Sequence, residues 1–127
     1  MYLLDTNIVS EIRKIKSGKA DKNLAAWTNA STASSFYISV ITVLEIETGV
    51  LLLERRDAAQ ASILRSWFNE HVLPVFSDRI LPIDTAVAKC CAKLHVPDPR
   101  SDRDALIAAT ALIHGMPVVT RNVSDFK

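Results

Sequence analysis

Four places in the sequence carry acidic, amide or hydroxyl side chains that the burial of apolar surface does not call for: Asp5-Thr6-Asn7, Glu45, Asp104, and the group Thr120, Asn122 and Asp125. The apolar run Tyr2-Leu3-Leu4 breaks off at Asp5. In open sheets of parallel strands, ligands gather at the carboxyl ends of the strands, so this carboxylate stands on the rim of a candidate site. Asp5 or Thr6 equally suits the N-cap of the helix that follows, since both residue types take free backbone N–H groups there. Glu45 lies in Ser39-Val-Ile-Thr-Val-Leu-Glu-Ile-Glu-Thr-Gly49, a segment apolar nearly all round and therefore expected to form a buried helix. At about 100° per residue, Glu45 shares a sector with Ile41, Thr42, Thr48, Gly49 and Leu52. Glu47 and Glu54 fall together on the far side, as a solvent stripe. An ionised carboxylate buried alone is costly, so Glu45 requires a cation, a hydrogen-bond donor, water, or a salt bridge to Arg or Lys. Gly49, one turn on, leaves room for such a partner to approach. Asp104 heads the inward stripe Ile107, Ala108 and Ala111 of a further helix, and Ser101-Asp-Arg-Asp104 also reads as a capping box. Thr120, Asn122 and Asp125 follow the last apolar run, where Asn122 or Asp125 equally suits the cap of a short helix.

The elements that must position these groups follow from periodicity. Short apolar runs at 2–4, 36–39, 80–83 and 117–120 read as buried strands. Helical spacing occupies about 7–14, 22–31, 40–55, 57–73, 85–95 and 103–114, with turn signals at Gly18, Pro97-Asp-Pro99 and Gly115-Met-Pro117. Strands that alternate with helices imply a parallel sheet, and their lack of polar alternation implies cover on both faces. The expected architecture is a three-layer α/β/α sandwich with a central, mainly parallel sheet, as one domain over residues 1–127. With 15 basic against 14 acidic side chains, the chain has no bulk charge for non-specific nucleic-acid binding. Any nucleic-acid contact is local, with Arg13, Lys14, Lys16, Lys19, Arg100, Arg103 and Arg121 as candidates. Cys90 and Cys91 are sequence neighbours and cannot form an ordinary disulfide with each other, which suits a reducing cytoplasm. The opening residues do not read as a secretory leader, and no stretch is apolar enough for a membrane span. His71, His95 and His114 lack zinc-like spacing, and Trp27, Trp67 and Phe68 read as packing residues. The segment 40–73 carries more apolar surface than one sheet face requires, which suggests a homodimer or a protein partner.

Taken in order, the four places resemble the PIN-domain family, and within it the VapC and FitB-like toxins. The resemblance is carried by Leu3-Leu-Asp-Thr-Asn7, by Ser39 to Gly49, by Asp104-Ala-Leu-Ile-Ala-Ala-Thr110, and by Val119-Thr-Arg-Asn-Val-Ser-Asp-Phe126. It implies an endoribonuclease that cuts single-stranded or structured RNA with Mg²⁺ or Mn²⁺ and is neutralised by a cognate antitoxin. Asp5, Glu45 and Asp104 match the family's first three acidic positions, as catalytic and metal-binding residues. Thr6, Asn7 and Thr120 would support them. At the fourth position many members carry an acid directly after Thr-Arg, where this chain has Asn122; Asp125, three residues on, is the other candidate. Hard divalent cations prefer such oxygen ligands. On this reading Asp5 and Asp104 ligate directly, Glu45 binds a second ion or orients the attacking water, and Asn122 or Asp125 completes the shell. Two other readings are a non-catalytic PIN-like module that holds RNA or protein, and a phosphatase with Asp5 as nucleophile. The phosphatase lacks its second aspartate, since Asn7 stands in that place.

Overall fold

Leu3 and Leu4 have no exposed surface, and because successive strand residues face opposite ways they anchor two separate cores. The structure is a computed structural model that describes residues 1–14 and 18–121. Its strands are β1 (Tyr2–Leu4), β2 (Phe36–Ser39), β3 (Ile80–Leu81) and β4 (Val118–Val119). The helices are α1 (Thr6–Ile12), α2 (Lys22–Ala30), α3 (Val40–Glu54), α4 (Ala58–Trp67), α5 (Leu73–Val75), α6 (Thr85–Leu94) and α7 (Asp102–His114). The strands form one sheet in the order β3-β2-β1-β4, with every pair parallel. Leu3 stands opposite Tyr37 on one side and Val118 on the other. The expected three-layer sandwich is therefore present.

On one face Leu4, Phe36 and Ile38 pack with Ile8 and Val9 of α1, Ile46 and Val50 of α3, and Phe68 and Val72 beyond α4. On the other, Leu3 packs with Ile41, Ile107 and Ala111, and α6 closes over α7 through Val87, Cys91, Ala105 and Ala109. The chain runs outward from β1 to β2 to β3 and then returns to β4 on the opposite side of β1. The order reverses between β1 and β4, and at such a switch point the loops leaving the strand ends diverge and leave a crevice.

Several expectations are corrected in detail. The run at 80–83 pairs only through Leu81, because Pro82 has no N–H for the ladder. The helix expected over 57–73 passes from α4 into a π-helical turn, Phe68–Val72, before α5. Pro74 cannot donate to the preceding turn, which suits a change of hydrogen-bond register there. The α3 helix is buried on one side only: Leu44, Leu51 and Leu52 are 47%, 50% and 61% exposed, since a three-layer domain covers one side of an outer helix. The apolar surplus expected in this region is real and faces outward. Glu47 and Glu54 do lie together on a solvent-accessible side, and there they are paired. They face Arg65 of α4, which grips both Glu47 carboxylate oxygens at 2.6 and 2.8 Å and stands 3.6 Å from Glu54.

Candidate active site

Asp5 leaves the carboxyl end of β1 and is only 4% exposed. Its backbone N–H donates to Val119 of β4 at 2.9 Å, which fixes the main chain at the crevice. Its Oδ1 accepts the Thr6 N–H at 2.8 Å, and its Oδ2 accepts the Thr120 hydroxyl at 2.7 Å. Asp5 is thus the N-cap of α1, as one sequence reading held, and it is also clamped from the end of β4. Both donors are neutral, and among the described residues none forms an ion pair with Asp5. Each carboxylate oxygen has a second acceptor direction left for a further ligand.

Thr6 links this carboxylate to the next. Its hydroxyl donates to Glu45 Oε1 at 2.7 Å and lies 3.0 Å from the fully buried Thr42 hydroxyl. Glu45 therefore has a hydrogen-bond donor, and the salt bridge weighed from sequence amounts to Arg103 at 4.0 Å from Oε2, the limit of an ion pair. That contact also sets the first turn of α7 beside α3. A side-chain carbon at Gly49 would meet nothing within 4 Å, so the space inferred there exists and opens to solvent.

Asp104 sits half-buried in the first turn of α7, a helix held by Ile107 and Ala111 against Leu3 and Ile41. Ser101 is its N-cap but makes no side-chain cap hydrogen bond, so the serine half of the expected capping box is absent. Asn7 Oδ1 lies 3.4 Å from the Arg121 N–H, a long contact. Asn122 and Asp125 lie outside the described residues, as does Lys16. The structure joins Asp5, Thr6, Thr42, Glu45 and Thr120 in one hydrogen-bonded set, with Asp104 adjoining it through its neighbour Arg103. It does not draw three acids together: among the described residues no three His, Cys, Asp or Glu side chains stand close enough to hold one metal ion. The donor atoms themselves are hard oxygens, and a buried carboxylate with only neutral donors suits a divalent cation.

Sequence reading missed Glu11. It lies on the inward face of α1 with Ile8, 7% exposed, and accepts the Asp21 N–H at 3.1 Å. Lys14 and Arg121 pair with it at 3.3 and 3.2 Å. The Asp21 hydrogen bond and then these cations hold its carboxyl below the usual carboxylate range, against the opposing effect of burial. The signal available was an acid three residues after Ile8, on the packing face of a short helix. Of the basic candidates, Arg13 covers the Trp67 ring at 5.6 Å, and Lys14 and Arg121 are engaged by Glu11.

Cys91, His95 and Asp102 form a second polar group that looks like a nucleophile with its base. The Cys91 sulfur and the Asp102 carboxylate lie 3.7 and 3.4 Å from the same ring nitrogen, Nε2. The other nitrogen, Nδ1, accepts the Arg100 N–H at 3.0 Å, so in the neutral ring the proton is on Nε2. His95 then has no free nitrogen to take the thiol proton, and burial pushes the Cys91 thiol up. The ring nitrogens are thus engaged by Cys91, Asp102 and the Arg100 N–H, which leaves the thiol without a base here.

Against this geometry, the PIN domain family matches residues 2–127. The VapC ribonuclease Y4jK of Sinorhizobium fredii is 33% identical over 132 residues, covering 100% of this chain and 91% of that protein. The crystal structure of FitAcB from Neisseria gonorrhoeae superposes with a TM-score of 0.87 at 33% identity, over 99% of this chain and 91% of that one. A toxin-antitoxin complex from Klebsiella pneumoniae matches with a TM-score of 0.69 at 25% identity, over 99% and 90%.

Proposed function

The chain belongs to the PIN-domain family, and from that premise we propose that it is a metal-dependent endoribonuclease acting as the toxin of a toxin–antitoxin pair. The observation that carries the reading is Asp5: a buried carboxylate at the switch point of the sheet, held by neutral donors and tied through Thr6 to Glu45. A scaffold gains nothing from leaving such a charge without a cation.

Asp5 and Asp104 would hold Mg²⁺ or Mn²⁺, with Asn122 or Asp125 completing the shell. The ion would lower the pKa of water and offset charge on the scissile phosphate. The Thr120 hydroxyl fixes the carboxylate plane of Asp5, and the Thr6 hydroxyl turns Oε1 of Glu45 inward. Oε2 of Glu45 is left toward the first turn of α7, where it would orient the attacking water or meet a second ion. Arg103, half exposed beside it, would meet the RNA backbone. The exposed leucines of α3 would seat a second copy of the chain or the antitoxin. Support for the toxin role comes from the VapC ribonuclease and the toxin-antitoxin complex among the similar proteins.

The test is cleavage of tRNA, rRNA fragments and single-stranded RNA by the purified protein, with Mg²⁺ or Mn²⁺ and with EDTA, alongside Asp5→Asn and Asp104→Asn. Metal-dependent cutting that both variants lose is the expected result. A folded parent inert toward every RNA, or variants that cut at the parental rate, would overturn the reading in favour of a binding module.

A further inference from the structure

We propose that Glu11 is a positioning residue for the candidate nuclease site: it holds Arg121 and Asp21, and so fixes the end of β4 from which Thr120 grips Asp5. The inference rests on the ribonuclease reading for its effect on rate, and on geometry alone for its effect on structure. Glu11 lies in the last turn of α1, where the helix dipole disfavours negative charge, and it is buried. A buried acid in that place requires compensation, and the compensation comes from three partners.

One is α2, which starts at the N-cap Asp21. A capping box would place an acid at its third residue, but Leu24 stands there. Glu11 supplies the missing acceptor from another helix, taking the Asp21 N–H at 3.1 Å. The second is Lys14, one turn on. The third is Arg121, whose guanidinium reaches Glu11 at 3.2 Å while its N–H stands 3.4 Å from Asn7 Oδ1. Thr120, whose hydroxyl meets Asp5 at 2.7 Å, is the residue immediately before it. Asp21, Thr120 and Arg121 line one groove of about 310 Å³, so Glu11 ties together walls of that groove, one of which carries the Thr120 that bonds Asp5. With the Arg121 anchor gone, the main chain that carries Thr120 loses its tie to α1 through Glu11 and leans on the two-residue β4 strand and the bonds of Thr120 and Arg121 to Asp5 and Asn7.

Glu11→Gln separates the parts, because its amide oxygen still accepts the Asp21 N–H but attracts neither cation. Two readouts are taken on Glu11→Gln, Arg121→Gln and the double variant: native-state amide exchange, and kcat and KM for RNA measured separately. Asp5 and Leu3 donate to the carbonyls of Val119 and Pro117, so their amides report directly on β4. The expected result is exchange at Asp5 faster by on the order of tenfold, with Val50 in the core of α3 unchanged. The kcat falls about tenfold with KM little altered, and the double variant is no worse than either single one. Parental exchange at Asp5 in Glu11→Gln, or a parental kcat in an active enzyme, would overturn the proposal. If the parent itself cuts no RNA, the ribonuclease reading fails and the exchange measurement still decides the role of Glu11.

Discussion

The two ends of α1 each hold a buried acid, and they are treated in opposite ways. Asp5, at the N-terminal end where the helix dipole favours negative charge, receives an N–H and a hydroxyl and, among the described residues, no cation. Glu11, about 9 Å along the axis in the last turn, receives an N–H and two cations. A carboxylate whose charge is already matched by lysine and arginine has structural work and little affinity left for a metal. One with hydrogen bonds that orient it but no countercharge is prepared to receive a cation. Burial alone does not separate the two, since both are nearly inaccessible; the kind of partner does. The same criterion sets Glu45, bonded to a hydroxyl with Arg103 at arm's length, apart from Glu47, which is locked to Arg65.

The sharpest way to break this contrast is to exchange charge for amide at each end. Asp5→Asn should reduce RNA cleavage by more than about a hundredfold, beyond what loss of an outer ligand contact costs, while thermal unfolding stays at or above the parental temperature. Unfolding in urea separates site from core in the other direction. Ile107→Ala, fully buried beneath the site, should cost about 2–5 kcal/mol, whereas Asp104→Asn one turn earlier should cost at most about 1 kcal/mol. Thr120→Val, which removes the hydroxyl from Asp5 at constant shape, should slow cleavage by about ten- to a hundredfold in the same RNA assay.

The smallest effect is a pH signature of Glu11. Its folded pKa is depressed, so the folded state binds its proton less readily than the unfolded chain does. Its stabilising contribution is therefore complete above the unfolded carboxylate value of about 4.3, and is lost as pH falls through that value toward the lower folded one. The stability difference between the parent and Glu11→Gln should be constant near neutrality and shrink below about pH 4.3, measured by urea unfolding at several pH values.

The sheet and most helices were legible because their signals are local. Tyr2-Leu3-Leu4 stops at an aspartate, the caps fall where Asp and Ser stand, and Gly115 ends α7 in the left-handed conformation that suits glycine. Asp5, Glu45 and Asp104 were legible as oddities, polar where apolar periodicity predicts otherwise. The partners were not, because they lie far off in sequence: Thr120 reaches Asp5 across 115 residues, and Arg121 reaches Glu11 across a similar span. Glu11 escaped notice for a related reason. On a seven-residue helix an inward acid looks like an exposed one until the packing partners are known. The one-sided burial of α3 was hidden by composition, since an all-apolar helix gives no indication of which side the domain covers.

The central claim is that Asp5, which has no countercharge among the described residues, is the centre of the working site at the end of β1. Calorimetric titration of Mn²⁺ into the parent, Asp5→Asn and Glu47→Gln tests it most directly. The account predicts saturable binding in the parent, its loss in Asp5→Asn, and parental binding in Glu47→Gln, whose carboxylate belongs to Arg65. Binding that survives Asp5→Asn unchanged would place the ion elsewhere and contradict the account.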